Sequence, residues 1–216
     1  MRLCAIVPVK SLINGKSRLA KLLSAEQRSM LCISMLKDVL STLVRSRLIE
    51  GVAVVTSDSK VKEVAYSYGA TVLEDREQGV NNAVAVADSY ASNFDASLVL
   101  PQDIPLVDIL DIEFIYNAAL YSKRCVVITP SWRLDGTNAL LRRGPKIIET
   151  HYDEDSYTMH IREALEKGVK VKILLSKRVM QDIDDVDDLY SVLNDNNWIG
   201  MKRISYTKEY LGSILK

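Results

Sequence analysis

No apolar run in this sequence reaches the length needed to cross a membrane, and its first residues lead into a strand-like segment with no signal-peptide pattern. A soluble, cytoplasmic protein with no membrane partner is expected. Cysteine is scarce: Cys4, Cys32 and Cys125 make three, with no metal-ligand spacing. An odd number without a pairing pattern argues for reduced thiols rather than a disulfide framework. Cys4 and Cys125 sit inside strand-like runs and read as small buried core residues. Histidine is scarcer still. His151 and His160, nine residues apart, form no metal signature and read as structural. Net charge is absent too, with 28 basic and 28 acidic residues. Such a balance implies no polyanion-binding surface, so no nucleic-acid partner is expected, although a local basic site is allowed. Two glycine signatures are also missing. Gly15-Lys16-Ser17 lacks the upstream glycine of a Walker loop, and the first loop holds no Gly-x-Gly-x-x-Gly.

Hydrophobic residues make up 48% and charged residues 26% of the 216 positions, a globular composition with enough chain for one sizeable core. One domain over residues 1–216 is expected. The chain is organised around Leu98-Val99-Leu100-Pro101-Gln102-Asp103-Ile104-Pro105-Leu106. Three apolar residues read as the end of a buried strand. An acid follows between two prolines, each of which fixes φ and lacks a donor, so regular structure stops there. Asp103 is thus presented just past a strand's C-terminal end, where open α/β sheets place ligands. It could bind a hard cation such as Mg²⁺ with help from substrate phosphates, or it could only cap the following helix.

Taken in order, residues 3–9 form a continuous apolar run through Pro8-Val9 to Lys10, as a strand buried on both faces requires. The next loop carries Lys10, Lys16, Arg18 and the turn pair Asn14-Gly15. Its amides and cations suit a triphosphate. Read alone, it is better explained as a solvated basic loop. Ser24 and Gln27 form a capping box ahead of a helix over residues 25–44. Strands over 51–56 and 70–73, with a helix over 59–68 closed by Gly69, complete a βαβαβ order. That order argues for a parallel sheet with right-handed crossovers. In the loop over 74–83, Gly79 allows close approach to the backbone. Asn81 and Asn82 could bind a nucleobase edge or ribose, or cap the helix that ends near Asn93. A helix over 107–121 and a strand over 124–129 come after the Asp103 stretch.

The second half is less regular. Gly136, Thr137 and Asn138 could offer an amide and two polar side chains to an acidic ligand. A helix over 155–166 begins beside Ser156, and residues 169–175 alternate as a more exposed strand does. Five acids then fall between Asp182 and Asp188. Asp187 and Asp188 suit the first turn of a helix. Asp182 and Asp184 alternate along an extended segment, so they share a face and could add a carboxylate to a cation held by Asp103. The tail over 195–216, with Trp198, could pack on a partner subunit.

These motifs, in this order, carry a resemblance. A strand ending Pro8-Val9-Lys10 precedes Lys16-Ser17-Arg18-Leu19 and a Gly79-x-Asn81-x-Ala83 turn. Pro101-Gln102-Asp103-Ile104-Pro105, Gly136-Thr137-Asn138-Ala139-Leu140 and Asp182-x-Asp184 follow. The whole resembles the 2-phospho-L-lactate guanylyltransferase family of the archaeal coenzyme F-420 (deazaflavin) pathway, among the GT-A-like nucleotidyltransferases. Each motif is weak alone, and the combination, over residues 2–189, is specific. The resemblance implies a three-layer α/β fold with a mostly parallel central sheet and helices on both faces. It implies a nucleotide-binding half over about 1–105 and an acceptor and metal half over about 106–194.

It also implies a reaction. The phosphate of 2-phospho-L-lactate attacks the α-phosphorus of GTP, pyrophosphate leaves, and lactyl-2-diphospho-5′-guanosine forms. Both reactants are anions and the nucleophile is already ionised, so position and charge carry the barrier. By the same resemblance, Asp103 and Asp184 hold Mg²⁺, and Lys16, Arg18 and Asp103 are catalytic, the two cations stabilising the departing pyrophosphate. Pro8, Lys10, Lys16, Gly79 and Asn81 bind the nucleotide, and Thr137 and Ser156 hold the acceptor. A homodimer is implied as well. One departure stands out: the family tends to carry glycine where this chain has Asp153. Either Asp153 points away, or the acceptor pocket is built differently. Phosphoenolpyruvate and 3-phosphoglycerate, which differ from 2-phospho-L-lactate by small groups, stay open as acceptors. A molybdopterin or sugar-phosphate nucleotidyltransferase would be expected to carry a glycine-rich first loop. A non-catalytic nucleotide binder would have no need of two separated metal carboxylates.

Overall fold

The apolar run at the N-terminus becomes the interior of a sheet. The computed structural model describes the chain except residues 13–14, 77, 145, 195–204 and 216; Asn14 and Trp198 therefore lie outside the described residues. β1 (Leu3–Pro8) pairs on one side with β2 (Ile49–Thr56) and on the other with β4 (Ala96–Val99), both parallel. β3 (Thr71–Glu74) extends the parallel set beyond β2. β5 (Cys125–Pro130), β6 (Thr137–Arg143) and β7 (Lys170–Ile173) complete seven strands in the order β3-β2-β1-β4-β6-β5-β7. β6 alone runs antiparallel to its neighbours. The mostly parallel α/β sheet expected from the sequence is the one observed.

Both faces of β1 are covered, which is why its sequence does not alternate with polar residues. Leu3, Ala5 and Val7 face one core, and Cys4 and Ile6 face the other. The first core is covered by α1 (Ala25–Arg45), α2 (Ser59–Ser67), α4 (Ile109–Leu120), α6 (Lys177–Met180), α7 (Val186–Asn194) and α8 (Tyr206–Ile214). The second is covered by α3 (Val80–Ala91) and α5 (Ser156–Glu166). α1 starts at the expected capping box: the Ser24 hydroxyl accepts from the Gln27 amide at 3.2 Å, and the Gln27 side chain accepts from the Ser24 amide at 2.8 Å. α4 is capped by Asp108, which accepts from the Leu110 amide at 3.1 Å. Asp103 is therefore not a helix cap, and the cation reading of that residue keeps its place. α3 has Gly79 at its N-cap position, so Asn81 and Asn82 lie within the first turn and cap nothing.

The described part of the tail, α8, packs on α1 of its own chain. Asp38 of α1 is buried and accepts from the Ser205 hydroxyl at 2.9 Å and from the Tyr206 and Thr207 amides at 3.0 and 2.9 Å. Leu211 is buried beneath the same helix, and the Tyr210 hydroxyl donates to the Gln27 carbonyl at 3.1 Å. No sequence motif announces this pairing, because an acid inside a helix reads as solvated until its partner is placed.

One charge pair is enclosed by the sheet. The Arg142 guanidinium, on β6, is 1% exposed and binds Asp88 of α3, with Nε donating to the Ser97 hydroxyl at 3.2 Å. Removing one member leaves a buried charge unpaired. Asp88→Ala is expected to cost about 3–5 kcal/mol in urea unfolding, and Asp88→Ala with Arg142→Met to recover most of it. Equal stabilities of the single and double variants would contradict this.

Candidate active site

The parallel strands β1 and β4 end side by side, and their exit loops frame one cavity of about 530 Å³. Open α/β sheets offer ligands this edge because the loops diverge there. Pro8, Lys10, Lys16 and Arg18 line it from the first loop. Pro101, Gln102 and Asp103 line it from the stretch after β4, and Asp182 and Asp184 from the segment before α7. β6 runs the other way, so its beginning, not its end, reaches the same edge and brings Thr137 and Asn138. Tyr152 and Ser156 close the remaining side.

Lys16 is the centre of the charge arrangement. It sits at φ +52°, ahead of a short 3-10 turn over Ser17–Leu19. Its Nζ contacts Asp103 and lies 2.6 Å from Asp184. The side chain is only 7% exposed. Burial disfavours its charge, but the two carboxylates outweigh that, and the pKa is raised. Lys16 is thus no solvated loop cation. Asp103 and Asp184 come from loops far apart in sequence, and the Ile183 amide donates to the Asp103 carbonyl at 3.0 Å, tying those loops together. Their convergence on one ammonium means their oxygens can share one cation. Hard oxygen donors in that arrangement suit Mg²⁺. No cluster of three or more metal-ligating side chains exists among the described residues. Mg²⁺ asks for no more than one or two carboxylates where phosphates supply the rest, so the donor set fits.

The acid run after Gln181 divides by task. Asp188 accepts from the Asp184 and Asp185 amides at 3.0 and 3.1 Å, and Arg133 pairs with Asp185 at 2.8 Å and with Asp188 at 3.2 Å. These contacts hold the segment in shape. Asp182 faces the cavity beside Asn138, whose Nδ2 donates to it at 3.1 Å. Burial, with the charges of Asp103 and Asp184, pushes its pKa up to about 6 against that hydrogen bond.

On the far side, the expected anion donors separate. The Gly136 amide donates to the Ser131 hydroxyl at 3.0 Å, and Asn138 Nδ2 also donates to the Val179 and Met180 carbonyls at 3.0 and 3.1 Å. Neither is available to a ligand as the sequence reading proposed. Thr137 and Ser156 line the cavity. Gly79 and Asn81 do not, although Val80 between them does. The Asn81 side chain accepts from the Tyr152 amide at 2.8 Å and donates to Asp153 at 2.9 Å. Asp153 is exposed and absent from the cavity wall, so of the two alternatives the sequence left, Asp153 points away. Sequence reasoning gave Gln102 and Tyr152 no role. The buried Gln102 Oε1 has no hydrogen-bond partner among the described residues, and its place between Pro101 and Asp103 was the available signal.

His160 lies behind Thr137 and is fully buried. Burial, with the charges of His151 and Arg142, pushes its pKa from 6.5 down to about 3. Between those values the unfolded chain binds a proton that the folded ring does not, so this group's contribution to stability falls as pH falls. The slope approaches about 1.4 kcal/mol per pH unit. His160→Asn is therefore expected to lose less stability than the parent between about pH 7 and about pH 5 in urea unfolding. A stability gap independent of pH would contradict the assignment.

The family profile described as "Guanylyl transferase CofC like" matches residues 3–215. A 2-phospho-L-lactate guanylyltransferase of Methanothermobacter thermautotrophicus is 35% identical over 195 residues, 89% of this chain and 85% of that protein. A phosphoenolpyruvate guanylyltransferase of Roseiflexus castenholzii is 35% identical over 189 residues, 88% of this chain and 87% of that protein. In structure, the chain resembles a candidate nucleotide-diphospho-sugar transferase from Desulfovibrio desulfuricans G20 with a TM-score of 0.79, 18% identity, and coverage of 99% and 95% of the two chains. It resembles a cytidylyltransferase from Leptospira borgpetersenii with a TM-score of 0.63, 16% identity, and coverage of 100% and 94%. These two likenesses speak to the fold. The profile match spans nearly the whole chain, and with the relatives it makes this protein a nucleotidyltransferase of the CofC-like guanylyltransferase family.

Proposed function

We propose that this enzyme transfers GMP from GTP to 2-phospho-L-lactate, releasing pyrophosphate, as a step of coenzyme F-420 biosynthesis. The observation that carries the proposal is the convergence of Asp103 and Asp184 on one cation at the sheet edge, opposite Thr137 and Ser156. Two anions must meet there. Lys10 and Arg18 are exposed on the cavity wall and supply positive charge to the triphosphate. Lys16 holds the two carboxylates to a common point and adds its own charge on the phosphate side. Asp103 and Asp184 would hold Mg²⁺, which supplies charge stabilisation to phosphate oxygens when bound. Thr137 and Ser156 orient the acceptor so that its phosphate faces the α-phosphorus. The turn at Gly79, where φ is +92°, leads into Val80, which lines the cavity. No side chain is required to remove a proton, because the attacking phosphate is already ionised.

Phosphoenolpyruvate is the second reading, favoured by the relative of that name at the same 35% identity. The two acceptors share phosphate and carboxylate and differ around one carbon, which is a small difference for a pocket to resolve. A homodimer is part of the proposal, though α8 is engaged within its own chain.

Pyrophosphate release with Mg²⁺, scanned over GTP, ATP and CTP against 2-phospho-L-lactate, phosphoenolpyruvate and 3-phosphoglycerate, tests this directly. Release with GTP and 2-phospho-L-lactate is expected. Preference for another acceptor would move the pathway and keep the chemistry, and silence with every pair would overturn the proposal. Asp103→Asn is expected to lower turnover at least about 10²-fold while retaining a cooperative thermal transition. Undiminished turnover in that variant would remove Asp103 from the metal site.

A further inference from the structure

Behind the acceptor side of the cavity runs a short hydrogen-bond chain whose direction is fixed from its buried end. The His151 backbone N–H donates to His160 Nε2 at 2.9 Å. That nitrogen is therefore an acceptor and carries no proton. The ring is held neutral by its burial. A neutral imidazole has a single N–H, so it lies on Nδ1. His160 Nδ1 is 3.1 Å from Thr137 Oγ1. The Thr137 oxygen consequently accepts from His160, and its own hydroxyl proton must point elsewhere. Thr137 lines the cavity, while the donors of its neighbours Gly136 and Asn138 are engaged by Ser131 and by the α6 segment. Tyr152 packs edge-on against the same imidazole with ring centroids 4.8 Å apart, which keeps the ring from turning.

We propose that His160 is a positioning residue that fixes Thr137 as an obligate hydrogen-bond donor to an ionised oxygen of the acceptor substrate, with the His151 amide setting the tautomer. The inference rests on the reading of Thr137 as an acceptor contact. It narrows that reading: the group met by Thr137 is acceptor-only, as a carboxylate or phosphate oxygen is. A carboxamide nitrogen placed there would find a donor facing a donor. The opposite tautomer would reverse the chain, because Thr137 would then donate inward to Nδ1 and present the acceptor substrate with lone pairs alone.

Two substitutions separate positioning from packing. His160→Asn can place an amide donor near the Nδ1 point. His160→Gln can accept from the His151 amide but places no donor at that point. His160→Gln is expected to raise the KM of the acceptor about tenfold, with kcat and the KM for GTP within about twofold of the parent. His160→Asn is expected to stay within about threefold of the parent. Thr137→Val should match His160→Gln, and the double variant should be no worse than Thr137→Val alone. Multiplying effects in the double variant, or an equal rise in the KM for GTP, would overturn the role of His160. An unchanged acceptor KM in Thr137→Val would instead overturn the acceptor reading and leave His160 nothing to position. Long-range ¹H–¹⁵N NMR of the histidine-labelled parent reads the tautomer without any variant. Protonated Nδ1 is expected, and protonated Nε2 would overturn the proposal whatever the kinetics.

Discussion

Everything at the sheet edge depends on bringing two like charges together from distant parts of the chain. Asp103 and Asp184 repel each other, and burial raises the cost. Lys16 makes the meeting possible, reaching partners 87 and 168 residues away in sequence. Its left-handed backbone, uncommon for a residue with a side chain, turns the first loop back over the cavity and aims the ammonium inward. A hydrogen bond from Ile183 to the Asp103 carbonyl then joins the two acidic loops by backbone, so their spacing is not left to the ion pair alone. Asp182, beside them, has its pKa raised first by burial and then by the charge of Asp103.

The sheet explains why residues from both halves of the chain reach this place. Six of the seven strands run in one direction, and their C-terminal ends set one edge. β6 reverses, and that single reversal delivers Thr137 and Asn138 to the same edge from their strand's beginning. Deeper in β6, Arg142 binds Asp88 and joins the reversed strand to the helix that covers it. Residues from both halves of the chain thus meet at the edge of one sheet.

Much of this was legible from residue patterns. Continuous apolar runs marked the buried strands, the Ser24-Gln27 box marked the start of α1, and the two prolines around Asp103 marked an exit loop. The ordered set of motifs then named the family. What the sequence did not reveal were relations between distant side chains. Lys16 read as one of three loop cations, because nothing local shows that it meets Asp103 and Asp184. Gly136 and Asn138 read as ligand donors, because their engagement by Ser131 and by the α6 carbonyls is tertiary. His160 read as structural, which described its burial and missed its direction: a hydrogen bond has a sense, and the sense depends on a backbone amide nine residues away. Asp38 carried no signal in the sequence, and it caps α8 across 168 residues.

The bridge between Asn81 and Asp153 joins two segments 72 residues apart in sequence. Asn81 faces Tyr152 and Asp153 with both ends of its amide, so the carboxylate at 153 takes a donor that a glycine there would leave unpaired. Asp153 thus occupies the Asn81 amide from within the chain. A substitution at 153 therefore changes the partners of Asn81 as well. The segment that leads into α5 is thus fastened to the first turn of α3 by its own carboxylate and backbone.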